Sequence, residues 1–241
     1  MLHALCSTNN MSSAAENLES KIDVNFSNKN LLKEALTHRS YLNENPDWGV
    51  PHNERLEFLG DAVLELAVTR NLFDDYPKFS EGELTNIRAA LVNFQALSKI
   101  GNKLGLEDVI YLSKGGAKET ERAKDVIIAN AFEALIGAVY LDNGYAAAET
   151  FIKKFVFEAL PEIMEKKLYK DPKSYLQEII QEKMKVTPTY EVMKEEGPDH
   201  NKIFEVGVYF DGKFSGAGKG FSKQEAEVEA AKDALAKLTN D

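Results

Sequence analysis

Glu54, Glu57 and Asp61 stand at i, i+3 and i+7 in the stretch Asn53-Glu54-Arg55-Leu56-Glu57-Phe58-Leu59-Gly60-Asp61-Ala62-Val63-Leu64-Glu65-Leu66. At about 100° per residue, the three carboxylates fall within roughly 60° of one another on a helix surface. Leu56, Leu59, Val63, Leu66 and Val68 recur at helical spacing, which predicts that helix. Phe58, Ala62 and Leu64 carry apolar groups onto its other sides, so burial over most of its circumference is expected. Carboxylates crowded on such a stripe repel one another and are costly to desolvate. A hard divalent cation is the most economical compensation; a solvated acidic face is the plainer alternative.

A second apolar helix is read from Asp125 to Asp142, closed by an Asn143-Gly144 turn. Asn130 and Glu133 lie one turn apart on one of its faces. A buried glutamate needs a partner, and the acidic stripe of the first helix is the natural one. Glu54, Glu57, Asp61 and Glu133, with the Asn130 amide oxygen, form a hard-oxygen set without nearby cysteine. That chemistry favours Mg²⁺, with Mn²⁺ as a substitute, over zinc. An ion held this way keeps waters, accepts substrate phosphate oxygens, activates a water and stabilises a departing alkoxide. The sequence holds no Ser/His/Asp triad, phosphate-cradling glycine loop or redox motif in competition. Metal-dependent phosphodiester hydrolysis is therefore the leading reaction class.

Other helices frame these two. Asn28 caps a short one through Leu31, Leu32, Ala35 and Leu36, running into Thr37-His38-Arg39-Ser40, where His38 and Arg39 could face a polyanion. Tyr41 to Pro51 has the turn chemistry of a loop. Ser80 and Glu83 make a capping box ahead of Leu84, Ile87, Leu91 and Val92. Asn93 caps the next helix, which ends at Gly105. Lys114 to Lys124 reads as a polar loop with four basic residues. Two helices, Ala146 to Ala159 and Pro161 to Lys167, complete an all-α region.

Composition shifts at a charged, proline-containing stretch from Lys166 to Pro172. Ser174 to Met184 reads as a helix; Thr189 to Lys194 and Ile203 to Phe210 alternate as strands. Asp211-Gly212 is a hairpin turn into a third strand, Lys213 to Gly220. Ser222 to Leu238, with a Ser222/Glu225 capping box, is the closing helix. The expected architecture is an all-α domain at 19–168, a linker at 169–172 and a small α-β-β-β-α domain at 173–239. Residues 1–18, rich in Ser, Asn and Ala, are expected to be a disordered tail, with Met11 a possible start.

The 241 residues are 44% hydrophobic and 28% charged, enough apolar material for a real core. No run is long enough to span a membrane, and the N-terminus lacks the basic and apolar regions of a signal peptide. Cys6 is the only cysteine, which fits a reducing cytoplasm. The net charge of −10 argues mildly against nucleic acid, because phosphate binding usually leaves a basic footprint.

The stretch His52 to Leu64 nevertheless resembles the signature of ribonuclease III. Leu36-Thr37-His38-Arg39-Ser40, Glu81-Gly82-Glu83-Leu84 and Phe132-Glu133-Ala134-Leu135-Ile136-Gly137 fall in that family's order. The C-terminal unit resembles a double-stranded RNA-binding domain. The resemblance implies a homodimeric endonuclease that cuts both strands of duplex RNA, such as rRNA precursors, leaving 5′-phosphate and 3′-hydroxyl ends with short 3′ overhangs. It implies that the signature helix lies at the dimer interface. Glu54, Glu57, Asp61 and Glu133 match the family's acidic positions, with Glu57, Asp61 and Glu133 nearest the metal. Glu81 matches a position implicated in substrate engagement. Asn130 departs from the family, which most often has aspartate there; activity is expected to survive with weaker metal binding.

The matching RNA-binding positions are Gln177, Glu178, Pro198, His200, Lys202, Lys219 and Lys223. Duplex RNA is read through shape, 2′-hydroxyls and phosphates, and a helix N-terminus at Lys223 favours phosphate. The second lysine usual beside Lys223 is replaced by Gln224. Residues 171–241 hold 10 Lys/Arg against 14 Asp/Glu, so binding is expected to be modest and salt-sensitive. The rival reading is a duplex-RNA-binding or ribosome-associated protein on the same fold that does not cut. A metal phosphohydrolase of small molecules is disfavoured by the appended domain.

Overall fold

Local sequence sets most of the helix ends. Asn28 accepts from the Asn30 N–H to start α2 (Lys29–Ala35), and Ser80 with Glu83 forms a complete capping box on α5 (Glu81–Val92). Asn93 caps α6 (Phe94–Leu104), which stops at Gly105 in the left-handed region at φ 77°. In this computed structural model, residues 17–115, 120–198 and 202–239 are described. Their contacts divide the chain into two units, Met1–Lys166 and Lys167–Asp241.

The first unit is helical. Besides α2, α5 and α6 it contains α1 (17–22), α3 (Arg39–Glu44), α4 (Glu54–Asp75), α7 (Glu121–Asn143), α8 (Tyr145–Phe155) and α9 (Leu160–Glu165). α4 and α7 form its central pair, around which Leu32, Leu64, Leu72, Ile87, Leu97, Phe132, Leu135 and Phe151 are buried. The crossing has no room for side chains. A Cβ on Gly60 would overlap the Glu133 carbonyl and lie 2.9 Å from the Gly137 nitrogen; one on Gly137 would overlap the Leu56 carbonyl. The start of α4 is also tied down. Asn53, buried, donates its backbone N–H to the Thr37 carbonyl and its side-chain amide to the Ala35 carbonyl, at 2.9 and 3.2 Å.

Several expectations need correction. Leu18 belongs to the core rather than to a tail: it is 2% exposed on α1, alongside Ile22 and Phe26. The loop expected from Tyr41 contains most of α3, whose N-cap is His38. Thr120 caps α7, so that helix starts at Glu121 instead of Asp125 because its first turn is polar and lacks the apolar signal. α4 is not buried around its circumference. Phe58, Leu66 and Phe73 are 81%, 58% and 66% exposed in the single chain. With Ala62 and Thr69, also exposed, they fall within about 80° on the helix.

The second unit is a three-stranded antiparallel sheet, β1 (Thr189–Glu196), β2 (Ile203–Phe210) and β3 (Lys213–Gly220), in that order. Asp211 and Gly212, with φ of 50° and 73°, make the tight β2–β3 turn. α10 (Pro172–Met184) and α11 (Lys223–Thr239) share a core with the sheet, made of Leu176, Ile180, Val208, Phe210, Ala230, Ala231 and Ala234. Asp171 caps α10 with Pro172 as its first residue, so the helix takes up the end of the expected linker. Among the described residues no helix is long and apolar enough to cross a membrane.

Candidate active site

The Gly60–Gly137 crossing brings the acidic face of α4 against Asn130 and Glu133 of α7. Glu57 is half-buried. Desolvation raises its pKa, the charge of Glu54 adds to the rise, a hydrogen bond from the Asn130 side chain opposes it, and Asp61 raises it again. Glu133, also half-buried, is pushed up to about 7, first by desolvation and then by the charges of Asp61 and Glu57. Glu57, Asp61, Asn130 and Glu133, from two helices, therefore share one electrostatic environment.

Glu54 is exposed and turned outward. Its carboxylate lies 3.3 Å from the Arg39 guanidinium and 3.7 Å from His52 Nδ1, which has no hydrogen-bond partner among the described residues. Arg39 and His52 as keepers of Glu54 escaped the sequence reading, because no spacing rule links residue 39 at the start of α3 to residue 54. The only signal was that both lie in motifs already singled out. Among the described residues, no three His, Cys, Asp or Glu side chains are gathered into a ready-made cation cage.

A Ribonuclease-III-like family model matches residues 28–160, and a double-stranded RNA binding motif matches residues 172–238. Ribonuclease 3 of Carboxydothermus hydrogenoformans is 46% identical over 225 residues, 93% of this chain and 95% of that protein. Ribonuclease 3 of Borreliella burgdorferi is 41% identical, covering 98% and 96%. A solved structure of the ribonuclease III nuclease domain of Campylobacter jejuni, described with a region involved in dimer formation, has a TM-score of 0.55. It is 41% identical and covers 61% of this chain and 98% of that one. The chain belongs to the ribonuclease III family.

It is thus an endoribonuclease with an all-α nuclease domain and an appended α-β-β-β-α double-stranded RNA-binding domain. All five residues nominated at the ribonuclease III site lie inside the nuclease match. Glu81 lies elsewhere on that domain and is not among the groups that perturb Glu57 or Glu133. It accepts a hydrogen bond from Thr85 Oγ1 and borders a cleft of about 440 Å³ with Phe73, Phe79 and Arg88.

In the RNA-binding domain, Gln177 lines a cavity of about 700 Å³ with Ser174, Tyr190, Ser222 and Gln224. Glu178 is paired with Lys170 at 2.5 Å. Lys202 and Lys223 both reach Glu195, at 3.1 and 3.5 Å, and Lys219 reaches Glu205 at 3.4 Å. Pro198 is described, but His200 lies outside the described residues. Ser222 Oγ accepts from the Glu225 N–H as expected, while the Glu225 carboxylate accepts from the Phe221 N–H, so only the return bond of the expected capping box falls one residue early.

Proposed function

We propose that this chain hydrolyses double-stranded RNA with Mg²⁺, Mn²⁺ substituting, using Glu57, Asp61, Asn130 and Glu133 as its metal-binding and catalytic residues and Glu54 beside them. The observation that carries this reading is the coupling of Glu133 to Asp61 and Glu57 across the helix crossing. A half-buried carboxylate facing two others is unfavourable by itself and is relieved by a cation. The donor set fits a hard ion. Mg²⁺ keeps several waters and takes substrate phosphate oxygens, so it needs few direct carboxylates rather than a closed cage. When bound, such an ion supplies a water of lowered pKa and neutralises charge on the departing oxygen.

The chain's own residues do the rest. The Asn130 side chain lies beside Glu57 and favours its ionised form without adding a charge. Arg39 and His52 hold Glu54 at the mouth of the site, where a phosphodiester backbone would pass. Glu133 stays protonated more readily than an ordinary carboxyl and must release that proton to act as a ligand.

Two chains would bring two such sites to one duplex. The exposed apolar stripe of Phe58, Leu66 and Phe73 supports a homodimer through α4, since a monomer gains nothing by leaving it in water. Paired cuts would give 5′-phosphate and 3′-hydroxyl ends with short 3′ overhangs, on rRNA precursors and other structured RNAs in the cytoplasm. The competing reading, a duplex-RNA-binding protein that does not cut, is favoured only by the neutral Asn130. Incubating a labelled RNA duplex with the chain in Mg²⁺, Mn²⁺ or EDTA separates the two. Cleavage in either metal and none in EDTA is expected; binding without cutting in both metals overturns the proposal.

A further inference from the structure

The RNA-binding domain carries a contradiction in its charge, and the ion pairs resolve it. Glu195, near the end of β1, faces Phe204 in the β1–β2 register and lies within 3.1 Å of Lys202 and 3.5 Å of Lys223. Both ammonium groups also stand over the Phe204 ring, at 6.0 and 5.6 Å from its centroid. So Lys202 just before β2 and Lys223 at the start of α11 converge on one carboxylate. Glu205 is the cross-strand neighbour of Lys219, and the two are paired at 3.4 Å. Three lysines read as RNA-binding positions thus meet two carboxylates of the sheet. All five side chains are at least partly exposed, so no burial locks the pairs shut.

We infer that Glu195 and Glu205 are affinity-setting residues: intramolecular stand-ins for RNA phosphate that duplex RNA must displace from Lys202, Lys219 and Lys223. This rests on the reading of those lysines as phosphate contacts. A lysine that moves from glutamate to phosphate exchanges one anion for another, so its net gain is small. The carboxylate left behind regains a counter-ion, which cancels part of the cation release that drives binding. Both affinity and its salt dependence are therefore lower than three free lysines would give. The domain's excess of acid is, in part, placed on the binding lysines themselves.

The test is duplex RNA binding by the full chain in EDTA, which holds cleavage off, across a series of salt concentrations. Glu195→Gln is expected to tighten binding roughly three- to tenfold at low salt and to steepen the log Kd against log salt slope by about one. Glu205→Gln acts in the same direction with a smaller effect, since it frees one lysine. Glu229→Gln, which removes the same charge from a pair with Lys232 on α11, is expected to change neither quantity. Binding within twofold of the parent for both Glu195→Gln and Glu205→Gln overturns the inference, as does equal tightening by Glu229→Gln. The double variant Lys219→Ala/Lys223→Ala tests the underlying reading separately. If it binds as the parent does, the phosphate assignment fails; if it weakens binding while the glutamine variants stay silent, only the stand-in role fails.

Discussion

Glu133 has the most perturbed carboxyl at the site, and the perturbation acts on folding as well as on chemistry. Its ordinary value of 4.5 is raised to about 7 in the fold. The folded chain therefore binds that proton more tightly than the unfolded chain does. Stability from this group is fully present below about pH 4.5 and is lost as pH rises through about 7. Glu133→Gln removes the penalty. It is expected to abolish cleavage, keep duplex binding and stabilise the metal-free chain by about 1–2 kcal/mol at pH 8, after discounting for partial exposure. Thermal unfolding at pH 8 and pH 4 checks this, since the difference should be largely gone at pH 4. Metal uptake should release a proton, so the Mg²⁺ needed for half-maximal cleavage is expected to fall as pH rises through 7. Asn130→Asp places a further charge beside Glu57. It is expected to lower the Mg²⁺ requirement while lowering the melting temperature without metal, and a Mg²⁺ titration of the cleavage rate reads the first effect.

At the scale of elements, the site is a property of how α4 meets α7. Gly60 and Gly137 permit backbone-to-backbone contact, which sets Glu57 and Asp61 opposite Asn130 and Glu133. Gly137→Ala would drive a methyl into the Leu56 carbonyl and force the helices apart. Overpacking of that kind costs about 1–3 kcal/mol. Because the neighbour is backbone, a value at or beyond the upper end is expected in denaturant melts. Cleavage should be lost, and duplex binding by the C-terminal domain kept. The capped starts of α5, α6 and α7 follow directly from Ser80, Asn93 and Thr120, whereas the 3₁₀ turn Phe157–Ala159 that separates α8 from α9 carries no comparable signal.

For the whole molecule, an exposed apolar stripe on α4 is formed by Phe58, Leu66 and Phe73. Phe58→Glu leaves the folded core untouched, because that ring is exposed in the single chain. The variant is expected to sediment as a monomer and to lose double-strand cleavage, while the parent sediments as a dimer. A parent that sediments as a monomer at micromolar concentration would remove α4 as the seam. Net charge, by contrast, was a poor guide to partners. A chain at −10 carries a double-stranded RNA binding motif because charge acts through its placement, and several lysines of that domain sit beside carboxylates.

The sequence by itself determined the fold class and the order of strands and helices in the second unit, and it nominated the five residues of the proposed site. Helical periodicity, caps and the Asp211-Gly212 turn are local signals, readable within a few residues of chain. Tertiary structure decided what depends on residues distant in sequence. It placed Leu18 in the core, turned Glu54 toward Arg39 and His52, and exposed the Phe58 stripe. It also set how deeply each carboxylate is desolvated, which no spacing rule contains. Glu54, Glu57 and Asp61 are equivalent as a pattern on a helix. Only the approach of α7 at Gly60 makes Glu57 a half-buried acid beside Asn130 and leaves Glu54 to a surface ion pair.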